Sequence, residues 1–229
     1  MQERARPRIL MLYTHPDDEL IWGWPILQNP AFEKEILICV SDAHNPRRRR
    51  VAHRAESLAK LCDHLGVPWR CLDLDSDFAA SPQRKARGRR KLLEKYVPFC
   101  RPRYILRDVA AQILDALSQS KCDAVMTHNP WGEYGHMDHV FLSSLIFANC
   151  RKPLYTTDAF IGNNFLPLNP IQSAAKAALA GGLVETPLLD RVWYEECADF
   201  YRRDNVWTWT HGPAERVGLY RFVPEEAAS

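Results

Sequence analysis

No apolar run in the 229 residues approaches the roughly 18 that a membrane-spanning helix needs, so no span is expected. The seven cysteines (Cys39, Cys62, Cys71, Cys100, Cys122, Cys150 and Cys197) are scattered, odd in number and never spaced C-x-x-C. That pattern argues against a disulfide framework and against a cysteine zinc site. Several stand in apolar context, where a thiol packs as a small hydrophobe, and a cytoplasmic, reducing setting is the simplest expectation. Charge of one sign is lacking too: 30 basic and 28 acidic groups leave +2, too balanced for nucleic acid to be the main partner. No Gly-x-Gly-x-x-Gly follows the first apolar run, which argues against a nucleotide-binding module. The N-terminal stretch MQERARPRILMLY has no long apolar segment leading to a small-residue cleavage site, so no secretory leader is expected.

What is present is ordinary for a globular chain: 46% hydrophobic and 25% charged residues. The length suits one domain over 1–229, with a core at about 8–150 and a C-terminal part, 151–229, completing the fold and the substrate side. Ile9 to Tyr13, Glu35 to Ser41, Trp69 to Leu72 and Ala124 to Thr127 are short continuous apolar runs, as strands covered on both faces should be. Between them, Arg50 to Leu65 and Arg103 to Ser118 carry apolar residues at helical spacing, and His136 to Cys150 reads as a further helix. Gly66-Val67-Pro68 closes the first of these. Leu20 to Leu27 reads as a helix made short or irregular by Gly23 and Pro25. Strands alternating with helices predict an α/β fold, a Rossmann-like, mostly parallel sheet with helices on both faces. In residues 151–192 the pattern offers only one helix, near Ile171 to Ala180, and 193–209 is rich in aromatics.

Ligands of such sheets gather at the carboxyl ends of the strands. Two chemistry-rich segments fall there: Thr14 to Glu19, with His15, Asp17, Asp18 and Glu19, and residues 128–139, with His128, His136, Asp138 and His139. Catalytic zinc commonly takes three His or carboxylate ligands and leaves one position open. Hydrolysis needs in addition a free carboxylate to take a proton from water and a donor for the oxyanion. Asp17 and Asp18 are consecutive at a turn and point in different directions, so one can ligate while the other faces the water. His136 and His139 share one face of a helical turn, so one can ligate while the other stabilises charge. Asp138 between them suits an acceptor for an imidazole N–H.

His-Pro-Asp-Asp-Glu (15–19) with Gly-x-x-Gly-His-x-Asp-His (132–139) resembles the PIG-L, or LmbE-like, family of metal-dependent N-deacetylases, over roughly residues 8–150. The resemblance implies one divalent metal per chain, usually Zn2+, and deacetylation of N-acetylglucosamine-type sugars or related amides. By position it implies His15, Asp18 and His139 as metal ligands, Asp17 as general base and His136 as oxyanion stabiliser. It further implies Tyr134 beside the reacting carbonyl and Arg54 near the substrate. Thr14, Met137, Ser57 and the glycine-free stretch Ser41 to Pro46 depart from the usual pattern; none replaces a ligand, and the departures bear on the substrate-side contacts, not on the metal chemistry.

Blander readings accompany each motif. An acidic helix start explains residues 15–19 through the helix dipole, and His136 and His139 alone could be surface or core histidines. His128 reads as a loop-satisfying residue. The basic runs Arg47 to Arg50 and Arg84 to Lys91 read as solvated segments, or as anion clamps. Trp207 and Trp209 read as core, with their alternation able to turn one ring toward a groove. The expected function is hydrolysis of an N-acetyl or N-acyl bond in a small-molecule amino sugar or glycoside. The rivals are an amidase acting on a thiol conjugate or natural-product amide, and a nucleotide- or nucleic-acid-binding module. A homo-oligomer stays open.

Overall fold

The computed structural model describes residues 5–41, 53–74, 103–159, 180–207, 209 and 212–224. Both basic runs, most of the glycine-free stretch and nearly all of the helix expected from Ile171 lie outside them. The strands are β1 (Arg8–Tyr13), β2 (Glu33–Ile38), β3 (Trp69–Cys71), β4 (Ala124–Thr127), β5 (Leu154–Thr157), β6 (Leu183–Glu185) and β7 (Leu219–Phe222). The helices are α1 (Asp18–Ile21), α2 (Trp24–Leu27), α3 (Arg54–Leu65), α4 (Arg103–Gln119), α5 (Gly132–Gly135), α6 (Met137–Asn149) and α7 (Arg191–Arg203). One sheet runs β3-β2-β1-β4-β5-β7-β6; the first five strands are parallel, and β7 and β6 are antiparallel additions. The expected α/β architecture is therefore found, extended by an edge that the apolar runs did not announce.

Strand alternation builds two cores. Ile9, Met11 and Tyr13 of β1, with Ile36, Ile38 and Met126, face α1, α2, α3 and α7. Leu10 and Leu12, with Leu37 and Val125, face α4 and α6. On α7 the buried residues Tyr194, Cys197, Ala198 and Tyr201 recur at i, i+3, i+4, i+7, the stripe that seats a helix on a sheet. Each large side chain so buried contributes roughly 1.5–3 kcal/mol. Asp190 starts this helix by accepting the Trp193 N–H at 3.1 Å. Gly66, with φ 64, ends α3 in the left-handed conformation that only glycine adopts without strain.

The segment expected to be one irregular helix is two single turns, broken at Trp22-Gly23. A Cβ at Gly23 would lie 2.5 Å from the Glu19 carbonyl oxygen and 2.6 Å from Met11 Cε, so glycine is what lets this turn sit flat on β1.

The chain reverses direction across the sheet between β1 and β4, which are hydrogen-bonded neighbours with Leu12 opposite Thr127. The segments that leave their carboxyl ends are thus side by side, at the switch point where open α/β sheets bind ligands. No helix among the described residues is long and apolar enough to cross a membrane.

Candidate metal centre and active site

The two segments meet in a buried polar pocket. The Thr14 N–H donates to His128 Nε2 at 3.2 Å, stitching one loop to the other. His15, Asp18 and His139 are each at most 4% exposed, and each places one ligating atom within 4.8 Å of the other two. Asp18 is steered by its neighbours: Oδ2 accepts the His15 backbone N–H at 2.8 Å and Oδ1 the Trp22 indole N–H at 3.2 Å. His139 donates Nδ1–H to Glu133 Oε2 at 2.8 Å, which orients the ring with Nε2 toward Asp18. That atom stands 3.4 Å from Asp18 Oδ2, and His15 Nδ1 stands 3.4 Å from the same oxygen.

These atoms fit a metal. His15 Nε2 and His139 Nε2 are buried and make no hydrogen bond among the described residues. An orphaned imidazole nitrogen beside a carboxylate oxygen is costly in a protein interior unless a cation joins them. Ligands about 2.0–2.1 Å from a tetrahedral zinc lie roughly 3.3–3.4 Å apart, close to the 3.4 Å between His139 Nε2 and Asp18 Oδ2. The charge states agree. Burial lowers His15 to about 4, against the opposing pull of Asp18, so it is neutral and able to ligate. Burial alone would raise Asp18, but His139 and His128 hold it well below the usual carboxylate range.

Two other groupings have ligand-like spacing, His128 with Glu133 and His139, and His15 with His136 and Asp138. The first is satisfied internally: Glu133 Oε2 takes His128 Nδ1 at 3.1 Å and His139 Nδ1 at 2.8 Å. In the second, His136 Nδ1 already accepts the Asp138 backbone N–H at 3.3 Å as the N-cap of α6.

Asp17 adopts φ 99, a left-handed conformation that costs a non-glycine residue of order 1–3 kcal/mol. It is what turns the Asp17 carboxylate away from that of Asp18. Arg54 of α3 holds it, with Nη1 3.2 Å from Oδ1 and 3.1 Å from Oδ2, both side chains buried. Arg54, expected near the substrate, thus reaches Asp17. Tyr134 stands with its ring 5.7 Å from His136 and 5.5 Å from His139. Burial, and after it Asp18 and Asp17, push its hydroxyl well above the usual phenol range, so it remains a hydrogen-bond donor.

His15, Asp17, Asp18, Arg54, Tyr134, His136, Asp138 and His139 therefore all lie in or against this buried cluster. The carboxylate at His139 Nδ1 is Glu133, which the motifs had not singled out. Glu133 is fully buried, and its other oxygen accepts the Asn129 N–H at 3.1 Å. It reaches this position through φ 54, which an acidic residue does not advertise in sequence. His128 is more than a loop filler: it stacks on His139 with centroids 3.7 Å apart. The two tryptophans divide. Trp207 packs on Tyr201 and under Arg202, whereas Trp209 meets Trp22 at 5.0 Å and Tyr134 at 5.8 Å, at the rim of the pocket.

The chain is 23% identical over 158 residues to an uncharacterised protein of Acanthamoeba polyphaga mimivirus, covering 64% of this chain and 60% of that protein. It is 28% identical over 171 residues to the 1D-myo-inositol 2-acetamido-2-deoxy-alpha-D-glucopyranoside deacetylase of Segniliparus rotundus, covering 64% and 51%. It thus spans about half to three-fifths of the length of these relatives. Among solved structures, the deacetylase of teicoplanin biosynthesis in complex with teicoplanin superposes with a TM-score of 0.56 at 14% identity, over 95% of this chain and 100% of that one. The A40926 pseudoaglycone deacetylase does so with 0.57 at 12% identity, over 95% and 98%. These likenesses are of fold. Residues 10–150 match the PIG-L family, described as GlcNAc-PI de-N-acetylase, and the chain belongs to that family.

Proposed function

We propose that this protein hydrolyses an N-acyl bond, releasing an acetyl or similar acyl group from an amino sugar or sugar-containing metabolite. One divalent metal, zinc in the first instance, is held by His15, Asp18 and His139. The observation that carries this reading is the orphaned His139 Nε2 3.4 Å from Asp18 Oδ2, with His15 within ligand spacing of both and a separate carboxylate, Asp17, one residue away and held by Arg54. The S. rotundus relative, named as a deacetylase of an acetamido sugar, supports the choice of substrate class.

A metal so held supplies Lewis acidity, acidifying water and polarising the acyl carbonyl. Asp17 takes a proton from the attacking water, its carboxylate oriented by Arg54. His136 and the Tyr134 hydroxyl donate to the carbonyl oxygen as it gains charge. Asp17 or His136 then returns a proton to the departing amine. Asp138, whose N–H bonds His136 Nδ1, fixes the orientation of that ring.

A second reading, an amidase acting on a larger natural-product amide, uses the same machinery. The rings of Trp22, Tyr134 and Trp209 favour it as an apolar rim against which a larger acyl group would pack. One experiment addresses both: metal analysis of purified protein, with amine release measured on N-acetyl-D-glucosamine, its glycosides and their longer N-acyl analogues. Asp17→Asn should retain one metal and lose about 100-fold or more in kcat. A metallated wild-type protein inert across the whole panel would overturn the hydrolase reading.

A further inference from the structure

Glu19 is the carboxylate of the first motif that the chemistry above leaves unused, and it is fully buried. Both of its oxygens are engaged. Oε2 accepts the backbone N–H of Asp17 at 2.9 Å, and Oε1 accepts the Tyr201 hydroxyl at 2.6 Å. Tyr201 lies 182 residues further along the chain, on α7, beyond the stretch that matches the family. Asp17 is the residue whose left-handed backbone separates its carboxylate from Asp18.

We infer that Tyr201 is a positioning residue for Asp17, acting through Glu19. The hydroxyl fixes the Glu19 carboxylate; Glu19 fixes the Asp17 amide; and that amide bond holds the turn that delivers Asp17 to Arg54. The frame is closed on its far side. Asp204, just past α7, takes Lys60 at 2.6 Å and Ser57 at 2.7 Å, both on α3, the helix that carries Arg54. The carboxylate of Asp17 is thus held by α3, its backbone by α7, and the two helices are tied to each other. A C-terminal helix that contributes no metal ligand thereby sets the direction of the proposed base. The bland alternative is that Tyr201 merely satisfies a buried acid. Such a role would lower stability when removed without changing turnover in the folded enzyme.

The catalytic half of this inference rests on Asp17 being the base; the relay itself does not. The test is Tyr201→Phe, which keeps the ring and removes the hydroxyl. Amide hydrogen exchange at Asp17 is measured alongside metal content, KM and kcat for N-acetyl-D-glucosamine or whichever N-acyl sugar of the panel the wild type turns over best. Exchange at Asp17 should rise about 10-fold or more relative to Met11 in β1, and kcat should fall about 10-fold, with KM within 2-fold and one metal retained. Adding Glu19→Gln to Tyr201→Phe should cost less than the sum of the two single losses, because both act through one hydrogen bond. Unchanged protection at Asp17 overturns the relay. Lost protection with unchanged kcat overturns the positioning role. If Tyr201→Phe does not fold, Glu19→Met is read in the same way, since it keeps the side chain's length and removes both acceptor oxygens. A wild-type rate in Asp17→Asn would instead overturn the base assignment, and exchange at Asp17 would still decide the relay.

Discussion

Glu133→Gln is the perturbation that bears most directly on how the metal site is held. The carboxylate accepts three N–H donors: His128 Nδ1 and His139 Nδ1 on Oε2, and the Asn129 amide on Oε1. Glutamine keeps the volume but offers one acceptor and one donor. With its oxygen toward the histidines, its NH2 faces the Asn129 N–H; flipped, it faces both imidazole N–H groups. Either way at least one bond becomes a donor–donor contact in a fully buried place. Burial would raise Glu133, but His128 and after it His139 hold it below its ordinary range, so a charge that favours both imidazoles is lost. Charge-assisted bonds of this kind contribute about 1.5–3 kcal/mol each. Loss of such an outer partner typically weakens metal binding 10–100-fold, or about 1.4–2.7 kcal/mol. Competition with a chromophoric chelator at pH 7.5 measures the Kd directly. The expected order is wild type tightest, then Asp138→Asn, then Glu133→Gln. A Glu133→Gln protein with a Kd within 3-fold of wild type would refute the claim that Glu133 orients His139.

Four further outcomes are expected. His139→Ala should fail to retain metal through desalting, read by elemental analysis, because the remaining two ligands offer no third donor from α6. Gly23→Ala should lower Tm by the equivalent of about 1–3 kcal/mol, since the new methyl meets a backbone carbonyl that cannot move aside; calorimetry decides. Asp204 is held below the usual carboxylate range by its bonds to Lys60 and then Ser57, so its contribution is present above about pH 4 and lost as pH falls through the lowered value. Asp204→Asn should therefore melt below wild type at pH 7, by the equivalent of at most about 1 kcal/mol for so exposed a pair, and the gap should narrow as pH falls below about 4. Burial raises the thiols of Cys62 and Cys197, and buries Cys39 completely, so peptide mapping after iodoacetamide at pH 8 should find all three unlabelled until denaturant is added.

Why some of this was legible in sequence and some was not follows from how far each feature depends on distant residues. The parallel strands were readable because burial on both faces leaves continuous apolar runs, as in Ile9 to Tyr13, and because a parallel neighbour requires an intervening helix. The residues proposed to hold the metal could be named because they lie in two short motifs, 15–19 and 132–139, that resemble those of the family. The three strands β5, β6 and β7 were not: LYTT, LVE and LYRF mix polar residues into short stretches, and β6 and β7 lie at an antiparallel edge with much of their surface exposed, so no continuous apolar run marks them. Helix α7 had its signal: Asp190 as N-cap and a stripe at 194, 197, 198 and 201. Its aromatics read as core without declaring a helix, and two of them, Tyr194 and Tyr201, are the stripe that seats it. The roles of Glu19 and Glu133 were out of reach for a different reason. A buried acid is defined by what bonds it, and those bonds come from Tyr201, across 182 residues, and from a backbone turn with positive φ at Glu133 itself. The chemistry-bearing atoms are therefore local to their motifs, whereas the groups that aim them are nonlocal. Substitutions in the motifs should change whether metal or turnover exists at all, and substitutions at the aiming groups should change how much.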